Sequence, residues 1–258
     1  MQLSVDGAQF DISDDGSGPA IVLLHGFPLA KETWDPQVEA LKTAARVVRM
    51  DLRGLGKSSV TPGPYLMETL AGDLAGVLDA LRIERAVIVG HSLGGYVAFA
   101  FWRMFAERCS GLGFVCTRAN ADDEPAANAR RALADRTEGE GIEVVADAFV
   151  PRYFAPDTCE RVPELVTRAR EMVLRTTPRG AAAMLRGMAE RVASDDLFAE
   201  IDVPVRVIAG AHDAFFPVDE PAKIADGIAG ASLDVLECGH FPMWEAPAAT
   251  SAILASLV

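Results

Sequence analysis

A serine between two glycines is the most chemically suggestive feature of this 258-residue sequence. Gly90-His91-Ser92-Leu93-Gly94 has the pattern G-x-S-x-G and lies between the apolar run 86–89 and a helical pattern. A turn this tight forces the serine into a strained conformation, which is tolerated only because the flanking glycines lack side chains. The turn also presents the hydroxyl at a helix N-terminus, where backbone amides favour developing negative charge. Ser92 is therefore the predicted nucleophile.

A serine alcohol is a poor nucleophile unless a base takes its proton and an acid orients that base. His240 follows the predicted strand 232–236 in a short loop, which suits an imidazole that must reach over the carboxyl edge of a sheet. Of the other histidines, His25 and His91 belong to glycine turns, and His212 directly precedes the predicted acid. His240 is therefore the predicted base.

The orienting acid is expected at the end of a neighbouring strand. Asp213 lies just beyond the predicted buried strand 205–209, at the carboxyl edge where sites of α/β sheets form. Asp122 or Asp123, beyond the predicted strand 112–116, could supply the carboxylate instead. Asp213 is the predicted acid, and the reaction class would be the same with either alternative.

An early glycine loop is expected to complete the site. Gly26 follows the predicted strand 20–24 and would let the backbone approach the nucleophile closely. The backbone N–H groups of Phe27 and Leu93 are then the predicted pair of donors that hold a tetrahedral oxyanion.

Three side chains are candidates for contact with a substrate: Phe27, Met188 and Phe241. The two phenylalanines adjoin predicted catalytic positions, and Met188 recurs with Met184 and Leu185 at helical spacing. Packing inside the core is the alternative for each of them.

The elements that must position these residues alternate along the chain. Helical patterns separate six short apolar runs, which predicts a parallel sheet covered by helices on both faces; the runs are 20–24, 46–50, 86–90, 112–116, 205–209 and 232–236. Residues 3–5 and 9–12 flank Asp6-Gly7-Ala8 and predict a hairpin at the antiparallel edge of this sheet. Helical periodicity is clearest in 66–81, 93–105 and 246–257.

One long segment interrupts this alternation. Residues 119–196 have little strand character and contain several prolines, which predicts several short helices inserted between two strands as a cap. The expected organisation is a core formed by 1–118 and 197–258 with this cap between its two parts, and the mobility of the cap is left open.

Composition excludes several function classes. With 24 Lys and Arg against 37 Asp and Glu, the formal net charge is −13, and no broad basic surface is available for nucleic acid or anionic membranes. The apolar stretch 86–102 contains His91 and Ser92 near its middle, so no membrane span is expected. Four scattered cysteines lack metal-ligand spacing, so no metal site is predicted. No leader pattern opens the sequence, and a cytoplasmic location is the expectation.

In its motifs the sequence resembles the α/β-hydrolases. In that superfamily the catalytic triad occurs along the chain in the order Ser, Asp, His, and Ser92, Asp213 and His240 occur in the same order here. Two further segments match: residues 51–58, and Glu245-Ala246-Pro247 after the histidine. Within the superfamily the sequence is most similar to the cofactor-free branch of 3-oxoadipate enol-lactonases and carboxylesterases. The resemblance implies a mostly parallel central sheet flanked by helices, an inserted helical cap and no metal or organic cofactor.

The function that these expectations favour is hydrolysis of small carboxylic esters through a covalent acyl-enzyme. The net charge of −13 repels an anionic substrate at long range, and neutral esters with short acyl groups are the expected substrates. An enol-lactonase that opens a small lactone with the same triad is one alternative, and a ligand-binding module that keeps the scaffold without turnover is another. Epoxide hydrolases and haloalkane dehalogenases are disfavoured because those relatives carry Asp at the position of Ser92. The expected partner is a small-molecule ester or lactone, and the oligomeric state is left open.

Overall fold

One mixed sheet of eight strands forms the centre of the protein, as described for residues 1–258 by a computed structural model. The strands are β1 (Gln2–Val5), β2 (Ala8–Gly16), β3 (Ala20–Leu24), β4 (Arg46–Met50), β5 (Ala86–His91), β6 (Cys109–Val115), β7 (Val205–Gly210) and β8 (Ser232–Leu236). They lie in the order β1-β2-β4-β3-β5-β6-β7-β8. Strands β3 to β8 are parallel to one another, whereas β1 and β2 pair antiparallel. The predicted mostly parallel sheet and its antiparallel edge are confirmed.

The edge hairpin has the turn that its sequence requires. Asp6 and Gly7 both have positive φ, 46° and 78°, as a two-residue turn that matches the twist of the strands needs. The first half of β2 pairs with β1, and its second half pairs with β4, beginning with Ile12 opposite Met50. Because β2 pairs with both strands in turn, the hairpin is joined to the parallel strands.

Burial follows position in the sheet. Every residue of β5 is buried, which explains the apolar run before the nucleophile motif. Strand β8 differs from the predicted buried strand: four of its five residues are half-buried and Val235 is exposed. The physical reason is that β8 is an edge strand, which pairs with β7 on one side and with no strand on the other.

Eleven α-helices connect the strands. They are α1 (Asp35–Leu41), α2 (Met67–Ala80), α3 (Leu93–Phe105), α4 (Glu124–Glu140), α5 (Glu143–Phe149), α6 (Pro156–Arg161), α7 (Pro163–Leu174), α8 (Pro178–Ala189), α9 (Asp219–Gly227), α10 (Pro242–Glu245) and α11 (Pro247–Ala255). Helix α2 buries Leu70, Leu74 and Leu78 on one face, and it packs against α3. None of the helices combines the length and the apolar character that crossing a bilayer requires.

Helices α4 to α8 lie between β6 and β7, inside the predicted insertion. The expectation of only short helices is wrong for α4, whose 17 residues make it the longest helix. Pro125 lies in its first turn, where the missing N–H costs no hydrogen bond, and α6, α7 and α8 each begin with a proline. These prolines therefore begin helices and do not interrupt them. The division of the chain at 118/119 and 196/197 stays a prediction.

Candidate active site

Ser92 lies in a sharp turn between β5 and α3, and its backbone is strained. Its φ of 52° and ψ of −112° fall in a region that residues with side chains rarely occupy. A Cβ atom on Gly90 would overlap the carbonyl oxygen of Gly94, and one on Gly94 would lie 2.5 Å from the carbonyl oxygen of Leu24. The Ser92 N–H donates to the Val115 carbonyl at 2.9 Å, which ties the turn to β6. The predicted sharp turn is present, and neither glycine position has room for a side chain.

Asp213 and His240 form a hydrogen-bonded pair at the carboxyl ends of β7 and β8. The Nδ1 atom of His240 lies 2.7 Å from Oδ2 of Asp213, and both side chains are buried. The second carboxylate oxygen, Oδ1, accepts the N–H groups of Phe215 at 2.7 Å and Phe216 at 3.1 Å. Burial opposes ionisation of this carboxyl, but His240 and these amides outweigh it and hold the pKa of Asp213 below its ordinary value. With Nδ1–H directed at the carboxylate, Nε2 is the nitrogen left to take a proton.

The alternative acids lie elsewhere. Asp122 accepts hydrogen bonds from Arg118 and Arg130, each at 2.6 Å. Asp123 caps α4 by accepting the N–H of Ala126 at 2.9 Å. Of the three aspartates considered, only Asp213 is hydrogen-bonded to His240.

Backbone contacts hold the His240 loop in place. Its N–H donates to the carbonyl of Tyr153 at 2.8 Å, and the carbonyl of His240 accepts from Nε2 of His91 at 2.8 Å. Burial and the nearby His240 ring keep the pKa of His91 well below its ordinary value, so this ring is neutral. The proton of His91 is therefore on Nε2, and its Nδ1 has no hydrogen-bond partner.

The loop after β3 approaches the nucleophile closely. A Cβ atom on Gly26 would lie 2.7 Å from Nδ1 of His91 and 3.2 Å from Cβ of Ser92, so a side chain has no room there. His25 fixes this loop, because its Nε2 accepts the Leu52 N–H at 3.0 Å and its Nδ1 donates to the Gly26 carbonyl at 2.8 Å. The close approach expected of this glycine is observed.

The two predicted oxyanion donors come from this loop and from the turn. Leu93 is the first residue of α3, so the helix supplies no acceptor for its N–H. Phe27 directly follows Gly26, and its carbonyl accepts the Tyr153 hydroxyl at 2.9 Å. Their joint role as an oxyanion hole stays a prediction.

A cavity of about 260 Å³ opens above the turn and contains both Ser92 and His240 in its wall. Phe27 and Met188 also line it, as expected for residues that contact a substrate. Phe241 does not line it, and that expectation is wrong. Its ring is completely buried, with its centroid 4.8 Å from the Tyr153 ring and 5.2 Å from the Trp244 ring. Phe241, the residue after His240, therefore packs in the core.

Several lining residues were missed by the sequence analysis. They are Tyr96, Arg118, Arg130, Phe149, Arg152, Tyr153, Phe215 and Phe216. Phe215 and Phe216 lie two and three residues after Asp213, and this proximity was the only available signal for them. Most of the others belong to the predicted insertion, whose path over the sheet has no signature in the sequence.

One group of side chains resembles a metal-ligand set. The ligand atoms of Cys116, Asp213 and His240 all lie within 4.8 Å of one another. The carboxylate of Asp213 already accepts three hydrogen bonds, and burial with the charge of Asp213 raises the pKa of the Cys116 thiol well above its ordinary value. A thiol that stays protonated and a carboxylate that is already satisfied do not suit a cation.

Comparisons with known proteins agree with this architecture. The family model described as alpha/beta hydrolase fold matches residues 19–247. The chain is 29% identical over 231 residues to 3-oxoadipate enol-lactonase 2 of Acinetobacter baylyi, covering 90% of this chain and 85% of that protein. A thermophilic esterase from Thermogutta terrifontis, solved with malate bound, superimposes with a TM-score of 0.95 at 37% identity, over 99% of this chain and 95% of that one. The enol-lactonase from Burkholderia xenovorans LB400 gives 0.93 at 30% identity, over 100% and 99%. The chain therefore belongs to the α/β-hydrolase family.

Proposed function

We propose that this hydrolase cleaves small carboxylic esters through a covalent acyl-enzyme formed on Ser92. The observation that carries the proposal is the buried Asp213–His240 pair in contact with the cavity that also exposes Ser92. The similarity to a known esterase over nearly the whole chain supports the same class of substrate.

In the proposed first half-reaction, Nε2 of His240 takes the proton of the Ser92 hydroxyl as the oxygen attacks the ester carbonyl. Asp213 holds the imidazole in the required tautomer and stabilises its positive charge. The N–H groups of Phe27 and Leu93 bind the oxyanion of the tetrahedral intermediate. When this intermediate collapses, His240 returns the proton to the departing alcohol and the acyl group stays on Ser92.

In the second half-reaction water takes the place of the alcohol. His240 removes a proton from the water, the hydroxide attacks the acyl carbonyl, and the proton then returns to the Ser92 oxygen. The products are a carboxylic acid and the free enzyme. This sequence needs only the chain's own residues and water.

A lactone is the second candidate substrate, because relatives named enol-lactonases cover almost the whole chain. A lactone is a cyclic ester, so the same attack opens the ring and leaves the alcohol attached to the acyl chain. The proposed triad serves both substrates without any change of role.

The proposal is tested with p-nitrophenyl esters of increasing acyl length, assayed with and without a serine-directed phosphonate. We expect turnover that the phosphonate abolishes, a single phosphonate adduct on Ser92 by mass spectrometry, and a loss of about a millionfold in turnover for Ser92→Ala. Ser110→Ala, which removes an exposed serine of β6, is the matched control and should keep full activity. Tight ligand binding without turnover would instead favour a binding module, and turnover that survives in Ser92→Ala would exclude the mechanism.

A further inference from the structure

Aromatic side chains form a continuous row in the wall of the cavity. Phe27 follows β3, Phe149 ends α5 and Phe215 follows β7, and all three line the cavity. The Phe27 and Phe149 rings pack edge to face with their centroids 5.4 Å apart. The Phe149 and Phe215 rings are stacked, again with 5.4 Å between their centroids. The row therefore joins the loop of one proposed oxyanion donor to the loop that carries Asp213.

One end of this row lies against the proposed base. The centroid of the Phe215 ring is 4.7 Å from that of His240, compared with 5.6 Å for Phe216 and 6.3 Å for Tyr153, which also line the cavity. Cleavage breaks the bond between the acyl carbon and the alcohol oxygen, and that oxygen takes the proton from Nε2 of His240. The departing oxygen must then lie within hydrogen-bond reach of the His240 ring. The group that it carries therefore starts close to Phe215.

The acyl group has no such requirement. In the tetrahedral intermediate the carbon on Ser92 carries three further groups, which are the oxyanion, the alcohol oxygen and the acyl chain. The oxyanion points to the proposed N–H donors and the alcohol oxygen points to His240, so the acyl chain takes the remaining direction. Helices α3, α4 and α8 supply wall outside the row, through Tyr96, Ala126, Ala129, Arg130 and Met188. Only the alcohol has to pass the rings beside His240.

Contacts to both its main chain and its ring hold Phe215 in place. Its N–H donates to Oδ1 of Asp213 at 2.7 Å, and the Arg152 guanidinium lies 4.1 Å from the ring centroid. That guanidinium donates in turn to the Ala214 carbonyl at 2.6 Å. Phe149 and Phe215 are both half-buried, so part of each side chain remains exposed. An aromatic group that covers this surface removes it from water without having to order the rings first.

We propose that Phe149 and Phe215 bind the alcohol part of the substrate and select esters of aromatic alcohols over esters of saturated ones. Phe149 is the specificity-determining residue, because it lies in the inserted segment and supplies the ring next to Phe215. An aromatic pair in an edge-to-face or offset-stacked arrangement adds affinity beyond the apolar area that it buries. Selection among esters rests on the proposed function, whereas binding of the free alcohol in the cavity does not.

Benzyl acetate and cyclohexylmethyl acetate test this selection. Both esters form the same acetyl-enzyme, so they differ only in the half-reaction in which the alcohol leaves, which kcat/KM reports. The cyclohexyl ring has the larger apolar area, so hydrophobic burial alone favours the saturated ester. Release of acid in a pH-stat measures both rates, and division by the rates of alkaline hydrolysis removes the difference in intrinsic reactivity. We expect the corrected kcat/KM to favour benzyl acetate by about fivefold.

Leucine substitutions test the two rings. Phe149→Leu keeps an apolar side chain but removes the ring, so we expect the preference for benzyl acetate to disappear. Phe105→Leu is the matched control, because Phe105 is also half-buried but packs with its ring 5.3 Å from that of Phe101, outside the cavity wall. This control should keep the wild-type preference. Phe215→Leu is the second test if Phe149→Leu does not fold, and it should also remove the preference.

Binding of the free alcohols measures the site without turnover. NMR titration of the protein with benzyl alcohol and with cyclohexylmethanol gives a Kd for each. We expect the wild-type protein to bind benzyl alcohol more tightly by about fivefold. This difference should disappear in Phe149→Leu and persist in Phe105→Leu.

The outcomes for the two proposals are distinct. A wild-type protein that prefers neither benzyl acetate nor benzyl alcohol would overturn the alcohol site, even if Ser92-dependent hydrolysis is strong. A preference that survives in both Phe149→Leu and Phe215→Leu would overturn it as well. Benzyl alcohol binding that Phe149→Leu weakens would support the site, even if neither ester is cleaved; in that case the proposed function is the part that fails.

Discussion

The hydroxyl of Tyr153 donates a hydrogen bond of 2.9 Å to the carbonyl of Phe27, while the carbonyl of Tyr153 accepts the N–H of His240 at 2.8 Å. This one buried residue therefore joins the loop of the proposed oxyanion donor to the loop of the proposed base. Since Tyr153 lies between β6 and β7, the inserted segment contributes to the positions of groups that the sheet carries.

The Tyr153→Phe variant removes only the bond to Phe27. We expect kcat to fall about tenfold, with KM little changed, because one hydrogen bond that positions the loop is lost while the cavity keeps its shape. Steady-state kinetics with a p-nitrophenyl ester measures both constants. Tyr65→Phe is the matched control, since that buried hydroxyl donates to the Thr61 carbonyl at 2.7 Å and does not line the cavity. An equal loss of kcat in both variants would mean that the effect is a general loss of stability and not a loss of positioning.

Asp213→Asn tests the orientation of the base. The amide cannot accept the Nδ1–H of His240 in the same way and favours the wrong tautomer, which costs about ten-thousandfold in kcat in a comparable triad. The side chain keeps its volume, so we expect the melting temperature to change much less than the activity. A variant that retains more than a tenth of wild-type turnover would show that Asp213 is not the orienting acid.

Two buried histidines predict a loss of stability in mild acid. Burial lowers the pKa of His91 well below its ordinary value and also lowers that of His25. Below about pH 6.5 the unfolded chain binds protons at these sites that the folded chain does not, so stability falls as the pH falls. The expected slope is at most about 1.4 kcal/mol per pH unit for each histidine.

Chemical unfolding at pH 7, 6 and 5 measures this dependence. In His91→Gln the pH dependence of the free energy of unfolding should become shallower by the contribution of about one proton. The amide still donates to the His240 carbonyl but does not titrate. His212→Gln removes a half-exposed histidine and is the control for the loss of a histidine as such. An unchanged slope in His91→Gln would contradict the prediction.

The arginines that contact Asp122 make this buried carboxylate important for stability. Burial opposes its ionisation, but the hydrogen bonds and charges of Arg130 and Arg191 hold the pKa of this carboxyl below its ordinary value. Its contribution is therefore complete above the ordinary carboxyl pKa of about 4 and is lost as the pH falls through the lower folded value. We expect Asp122→Asn to lower the free energy of unfolding by about 3 kcal/mol at pH 7, with the difference from wild type shrinking below about pH 4.

The adjacent Asp123→Asn is the control for that experiment. Asparagine caps a helix about as well as aspartate, so we expect a change below about 0.5 kcal/mol. If the two substitutions cost the same at pH 7, the buried charge cluster does not stabilise the protein.

Glycine substitutions separate the strained turn from ordinary helix positions. In Gly90→Ala the new methyl group would overlap the Gly94 carbonyl, so we expect a loss of about 2 kcal/mol of stability and of the proposed activity. Gly72→Ala in α2 meets no atom within 4 Å and should raise stability by up to about 1 kcal/mol. Thermal unfolding of both variants tests this difference, and a stable, active Gly90→Ala would contradict the proposed constraint.

Local signals in the sequence were sufficient for the sheet and for the turn around Ser92. The apolar runs report burial, the two glycines report a turn without room for side chains, and the order of Ser92, Asp213 and His240 follows from the order of the strands that carry them. Each of these depends on residues close together in the chain, so each leaves a pattern that can be recognised. The same logic failed for Pro125, because a proline interrupts a helix in its middle but begins one in its first turn.

Only the tertiary structure decided which groups meet across large separations in the chain. It brought Asp213 and not Asp122 to His240, buried Phe241 in the core, and brought Arg118, Arg130 and Arg152 to the wall of one cavity. The path of the inserted helices over the sheet sets these contacts, and the residues involved lie far apart in sequence. Composition reports the sum of all charges, whereas a bound molecule responds to those within a few ångströms, and the fold alone determines which charges these are.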